Sequence, residues 1–415
     1  MGTVLNAASS HDNAATRPSF ALPDRLRPAA SLGVLDVTEW FGDTSGGIKT
    51  YLLEKARYVA RRPWLRHVLL VPGDRDSIRD DEGTRMYRLH GPRIPRQRPY
   101  RFMLATRSIT RIVQHEQPHL IEIGSPFIVP WIVRYATRML DVPMVCFHHT
   151  NLPHYFAPER SRFPAVNRLV HAGAWRYMRR LDRLFPVTIV STDAAAADLA
   201  REGIDRVARV PLGVDLETFT PDRRSHAALT RALHGLPDAP LVGYAGRFAR
   251  EKELHVALDA WAEVERRTGA RLVLAGAGPM REKLRAHPFG HRVIMLPYQH
   301  SRDGLADLLA SLDVYLAPGP IETFGLSALE AMSCGTPVLS CDQGGVPEHV
   351  QRSGGGRLYA TGSAASLAEE AEALLKSDVI GLGRLARQHA ERHHAWEVVF
   401  DRLFAVYRDV LAGAR

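Results

Sequence analysis

The sequence predicts an α/β protein made of two doubly wound, Rossmann-like domains facing a cleft. From residue 32 onward, short β-branched runs alternate with helical patterns, the signature of βαβ units on parallel sheets. The rhythm comes in two series, separated by the proline-bounded segment Pro211–Pro221. A length of 415 residues leaves room for two sizeable cores.

Residues 1–31, rich in Ala, Ser, Pro and Arg without periodicity, read as a flexible leader. The first domain, 32–214, carries strand-like runs at 32–37, 67–71, 119–123, 142–147, 187–190 and 207–210, with helices starting near 47, 100, 126, 163 and 193. The second, 215–392, carries runs at 241–245, 272–275, 293–296, 314–317 and 337–340. The last segment, 393–415, sets Trp396, Val399, Phe400, Leu403, Phe404 and Tyr407 at helical spacing. This apolar stripe packs on a domain core or crosses back to the first domain. Ligands of doubly wound sheets bind beyond the carboxyl ends of the strands, so the active site is expected between the domains.

An apolar content of 45% and a charged content of 24% exclude a disordered or fibrous chain. The net charge is +9, and only five of the 54 cationic residues are lysines. Guanidinium favours bidentate contacts with phosphate and carboxylate, which suggests an anionic partner; codon usage in a GC-rich genome accounts for the bias equally well. Cys146, Cys334 and Cys341 form no metal-spaced cluster and suit a reducing cytosol. No apolar run is long enough to span a bilayer. Nor is there a recognition helix, zinc spacing or stacking motif for nucleic acid.

The chemistry concentrates in the second series. Gly246–Glu253 is a strand-to-helix turn that brings the cations Arg247 and Lys252 close to a helix N-terminus, where a diphosphate fits. Further on, Glu322 lies in a loop and Glu330 in the helix that follows, with Phe324, Gly325 and Leu326 at its start. Acceptor-only carboxylates suit hydroxyl-rich ligands, and free N–H groups suit phosphate. Gly344–Glu348, Gly-Gly-Val-Pro-Glu, is another strand-to-helix turn at the same sheet edge.

Taken together, these motifs resemble retaining glycosyltransferases of family 4, which have the GT-B fold. The likeness extends from about residue 32 to 411 and is strongest between 240 and 350. It implies that Arg247 and Lys252 bind the diphosphate of a nucleotide-sugar, Glu330 the ribose and Glu322 the transferred sugar, aided by backbone N–H groups at Phe324, Gly325 and Leu326. Gly46-Gly47 looks like the family's glycine loop. His149 matches the histidine that contacts the donor sugar, its His-Thr pairing favouring it over His148. The implied reaction retains configuration and needs neither metal nor cofactor, fixed cations and helix dipoles stabilising the departing diphosphate.

Ser45–Thr50 and the stretch Arg93–Arg101 are similar to bacterial α-mannosyltransferases that use GDP-mannose and act on phosphatidylinositol mannosides or related lipids. The alternatives are a UDP-sugar donor on the same fold, or a nucleotide-sugar-binding protein without catalysis. Arg93, Arg96, Arg98 and Arg101 suit an anionic head group or membrane surface, or a solvated loop. A helical wheel of 163–185 gathers Arg168, Arg176, Arg179, Arg180 and Arg183 on one side and Val166, Val170, Met178, Leu181 and Phe185 on the other. Such a helix packs on its own domain or lies on anionic lipid. The expectation is a cytoplasmic, peripheral enzyme at the inner face of the plasma membrane, with a lipid-linked or glycan acceptor.

Overall fold

The structure is a computed structural model. It describes residues 21–414 apart from 28, 43–45, 82, 95–99, 150–163, 225–226, 229–230, 232–234 and 236–238. The first strands are β1 (Leu32–Val37), β2 (Leu65–Gly73), β3 (Ser77–Asp81), β4 (Thr84–His90), β5 (Leu120–Ile123), β6 (Met144–Phe147), β7 (Thr188–Val190) and β8 (Val207–Arg209). They form one sheet in the order β3-β4-β2-β1-β5-β6-β7-β8. β3 pairs antiparallel with β4, whereas β1 with β2 and β5, β2 with β4, β5 with β6, and β7 with β8 pair in parallel. All nine residues of β2 are buried, as a parallel strand covered on both faces requires.

The second sheet contains β9 (Leu241–Arg247), β10 (Arg271–Ala277), β11 (Ile294–Leu296), β12 (Val314–Ala317), β13 (Val338–Cys341) and β14 (Gly356–Tyr359). Its order is β11-β10-β9-β12-β13-β14, the Rossmann order, which reverses between β9 and β12. Trp261, Leu272, Leu274, Val314, Leu339 and Leu367 lie in its buried core.

Thirteen helices are described: α1 (Gly47–Ala60), α2 (Thr106–Glu116), α3 (Val129–Ala136), α4 (Pro164–Asp182), α5 (Asp193–Arg201), α6 (Leu254–Thr268), α7 (Arg281–Arg285), α8 (Arg302–Ser311), α9 (Leu326–Ser333), α10 (Val346–Ser353), α11 (Ala364–Leu375), α12 (Val379–His393) and α13 (Trp396–Gly413). None is long and apolar enough to cross a membrane. In α13, Trp396, Val399, Phe400, Leu403, Phe404 and Tyr407 are buried, which is the stripe read from sequence.

Three strands escaped the sequence pattern: β3, which is largely exposed, β14, and β4, which buries an arginine. Arg85 and Arg66 converge on Glu116 of α2: Arg66 Nη1 lies 2.6 Å from Glu116 Oε2 and Arg85 Nη1 3.2 Å from Oε1, while the Tyr87 hydroxyl donates to Oε1 at 2.5 Å. A segment that spends its core positions on such groups shows no apolar alternation. α2 also begins later than expected, because Arg101 is still bridged antiparallel to Arg93. The end of the presumed leader is tied down as well. Arg27 donates to the carbonyls of Val59, Ala60, Arg62 and Leu65, around the C-terminus of α1.

The chain divides into two compact units. The first reaches to Phe147 and includes Arg183–Pro186 and Gly413–Arg415; the second comprises His148–Asp182 and Val187–Ala412. The sheets part between Arg209 and Leu241, whereas the units part after Phe147. Ion pairs within the second unit explain the difference. Glu348 of α10 accepts from Asp193 N at 2.8 Å and pairs with Arg209, while Arg352 pairs with Asp193. α5 and β8 are thereby joined to the layer that carries α10.

Candidate active site

In the second unit, a pocket opens where the strand order reverses, at the carboxyl ends of β9 and β12. It is lined by Tyr244, Lys252, Tyr315, Gly319, Glu322 and Gly325 among others. This is where a doubly wound sheet accepts ligands, because adjacent loops leave in opposite directions there.

Lys252 closes a 3₁₀ turn, Arg250–Lys252, directly after β9, and Glu253 at φ 44° redirects the chain into α6. The Lys252 ammonium donates to Glu322 Oε2. Burial works against its charge, but Glu322, by charge and hydrogen bond, holds Lys252 above the usual lysine value. Tyr244 and Tyr315 add phenols that burial pushes up and keeps neutral. The Tyr315 hydroxyl lies 2.8 Å from Ser327 Oγ in the first turn of α9.

Gly325 is the N-cap of α9, with φ 87°, and no side chain caps this helix. By contrast, Thr192, Ser301, Ser363 and Asp378 cap α5, α8, α11 and α12. The first N–H groups of α9 therefore lack the side-chain acceptor that those helices have, beside a cation, which is the chemistry of a phosphate site. Gly344-Gly345 sets the loop that carries Glu322. Gly345 N donates to Glu322 O at 2.6 Å, and a Cβ on Gly344, at φ 90°, would stand 2.9 Å from Pro320 O. Only glycine permits that approach.

The other expected residues fall in different surroundings. The Arg247 side chain is exposed at the end of β9. Phe324 is buried, and its ring meets that of His349 at 4.6 Å, so its side chain belongs to the core. Leu326 opens α9 beside the pocket without lining it. Glu330 is buried in α9, not on a solvated helix face, and burial pushes its carboxyl up to about 7, with Asp215 adding to the shift and Arg302 opposing it. His149 lies in the same unit, its carbonyl accepting from Thr323 Oγ1 at 3.3 Å. His148 is buried, and burial lowers it to about 4, which fits a structural ring.

In the first unit, Gly46 is the N-cap of α1, and nothing lies within 4 Å of a Cβ built on it; Gly47 begins the helix. Arg93 is exposed, and Arg101 donates to Gly91 O at 2.8 Å. Arg96 and Arg98 lie outside the described residues. On α4, which belongs to the second unit, Arg176, Arg179 and Arg180 are exposed, and Arg179 pairs with Glu202 at 2.8 Å. The apolar side of the wheel splits. Met178 and Leu181 are buried, whereas Val166 and Val170 are exposed together with Leu169. Sequence reasoning missed Tyr244 and Tyr315. It also missed Glu39, buried after β1, where burial pushes the carboxyl up to about 7 against hydrogen bonds from Met103 N and Ser125.

Residues 45–218 match the family described as Glycosyltransferase Family 4, and residues 239–377 the one described as Glycosyl transferases group 1. The GDP-mannose-dependent alpha-(1-6)-phosphatidylinositol dimannoside mannosyltransferase of Mycobacterium tuberculosis is 32% identical over 74% of this chain and 78% of its own. The chain belongs to glycosyltransferase family 4. A D-inositol 3-phosphate glycosyltransferase of Saccharomonospora viridis is 34% identical over 69% of this chain and 68% of its own. Among solved structures, a sucrose-phosphate synthase from Thermosynechococcus elongatus superposes with a TM-score of 0.75 at 21% identity, covering 92% of this chain and 100% of its own. The fold of this family 4 glycosyltransferase is GT-B, as the resemblance implied.

Proposed function

We propose that this glycosyltransferase moves mannose from GDP-mannose to a hydroxyl of a lipid-linked or glycan acceptor, retaining configuration, with no metal at the diphosphate and no cofactor. The observation that carries the reading is the Lys252–Glu322 pair beside the uncapped N-terminus of α9. The mannosyltransferase relative favours the donor. In the reaction the bond from the sugar's anomeric carbon to phosphate oxygen breaks and a bond to the acceptor oxygen forms, the acceptor proton passing to the leaving phosphate. Lys252, Arg247 and the N–H groups at Phe324, Gly325 and Leu326 stabilise the charge on that phosphate. Glu322 and His149 hold the sugar, Glu330 the ribose, and Gly46-Gly47 leave room for the donor. The test is nucleotide release from a panel of GDP- and UDP-sugars with lipid extracts and soluble glycans. Absence of turnover with every donor, or preference for a UDP-sugar, overturns the corresponding part.

Glu330 makes donor binding depend on pH. With its carboxyl raised to about 7, the folded protein retains this proton above the ordinary carboxylate range, and ribose hydroxyls donate more strongly to the ionised form, which accepts on both oxygens. Donor affinity is expected to rise with pH through about 7, roughly tenfold for each unit by which bound donor lowers this pKa. Glu330→Gln should flatten the profile; an unchanged profile removes Glu330 from donor binding.

The acceptor side is proposed to lie at an anionic membrane, the inner face of the plasma membrane. Val166, Leu169 and Val170 are exposed on α4 along with Arg168, Arg176 and Arg180, and apolar and cationic groups on one helix suit lipid headgroups. Arg93, Arg96, Arg98 and Arg101 would add to that attraction. Co-sedimentation with anionic vesicles is expected at low salt and should weaken at high salt and in Arg176→Glu/Arg180→Glu. Equal binding to neutral vesicles counts against it.

A further inference from the structure

Three buried histidines meet in the second unit and take no part in the lining of the donor pocket. They are His349 in α10, His389 in α12, and His394 between α12 and α13, exposed by 3%, 8% and 3%. One ring nitrogen from each lies within 4.8 Å of the others. His389 Nε2 and His394 Nε2 are 3.2 Å apart. Two imidazole ligands on a tetrahedral zinc ion, at bond lengths of about 2.0–2.1 Å, place their nitrogens about 3.3 Å apart.

Two of the three tautomers are fixed from outside. His394 Nδ1 lies 2.9 Å from Leu212 O, and a carbonyl only accepts, so the proton is on Nδ1 and Nε2 carries the lone pair. His349 Nε2 lies 3.0 Å from Phe324 O, which leaves Nδ1 as that ring's lone-pair nitrogen. A carbonyl behind the ligating imidazole is the outer shell that metal-bound histidines use, orienting the ring and raising its basicity. The guanidiniums of Arg209 and Arg352, which act on this cluster, are paired with Asp193 and Glu348 at 2.7 and 3.2 Å. They do not face it as uncompensated charge.

We propose that His349, His389 and His394 form a zinc site, with water as fourth ligand. An all-imidazole set with neither carboxylate nor thiolate suits zinc better than calcium or magnesium. Through Leu212 and Phe324, whose carbonyls hold two of the rings, the ion would tie the linker and the loop next to Glu322 to the C-terminal helices. Its role is structural and separate from transfer chemistry.

The experiment uses the full chain, stripped with a chelator and titrated with Zn²⁺ by calorimetry and with Co²⁺ by visible absorption. One Zn²⁺ per chain is expected, with a rise in melting temperature and intense tetrahedral ligand-field bands for Co²⁺. His389→Gln keeps an N–H to donate to His394 Nε2 but removes a ligand. It should melt like the metal-free wild type and lose at least about 100-fold in Zn²⁺ affinity. If that variant does not fold, the wild-type Co²⁺ spectrum decides alone. No stoichiometric Zn²⁺, a weak octahedral Co²⁺ spectrum, or equal Zn²⁺ affinity in folded His389→Gln would mean that a histidine hydrogen-bond chain accounts for the cluster, and overturns the proposal.

Discussion

Lys252→Ala is expected to cut sugar transfer by about 10²–10³-fold, the usual loss on removing one preorganised donor to a developing anion. Lys252 is the cation that lines the pocket, and its partner Glu322 lines it too, so the pair is already in place before a donor arrives. The fold should survive, because both side chains retain partial access to water, 22% and 29%, and the freed carboxylate can be hydrated. The measurement is the initial rate of nucleotide release with the best donor, alongside circular dichroism. A rate within a few-fold of wild type would remove Lys252 from the chemistry. Lys252→Arg should recover only part of the loss, since the longer planar group does not fit the contact made by the ammonium.

Glu116→Ala is expected to have the largest effect on stability, about 3–5 kcal/mol, because it leaves the buried Arg66 guanidinium without its carboxylate and takes from Arg85 one of its two, Asp80 being the other. Glu116 is fully buried, and its side chain receives Arg66, Arg85 and Tyr87, while its own carbonyl also accepts from Arg66 Nη2 at 2.6 Å. The loss should appear as a lower urea midpoint for the transition of the first unit. Glu116→Gln keeps an acceptor and should cost less. A loss under about 1 kcal/mol for the alanine variant would show that water reaches the guanidiniums and that the network does not hold α2 to the sheet.

What could be read from the chain depended on whether its signal was local. Most strands of both sheets announce themselves as apolar runs such as Leu241–Ala245, because a parallel strand covered on both faces has nowhere to place polar groups. Thr84–His90 did not, since Arg85 is solvated from within the protein by Glu116 and Asp80, partners distant in sequence or in another strand. Lys252, Glu322 and Gly325 were legible as a spaced motif, and the structure brings them to one pocket. Tyr244 and Tyr315 were not, because a tyrosine inside a strand looks like any core aromatic until the loops beyond its end are placed. The helix 164–182 shows the same limit. Its wheel separates charge from apolar surface, but only the surroundings decide which apolar turn is covered, and Val166, Leu169 and Val170 are not. The histidines at 349, 389 and 394 gave no spacing signal, since they come from two different helices and the turn before α13.

The contact between the Gly344-Gly345 turn and the loop of Glu322 bears on how such an enzyme changes its donor over evolutionary time. The backbone of Glu322 is held by backbone atoms of a segment further along the chain, and its carboxylate by Lys252. Ile321, which is 41% exposed, sits beside Glu322 on the same loop. On the proposed role of Glu322, an engineer who wants a new donor should leave the two glycines untouched, because they hold the backbone of its loop.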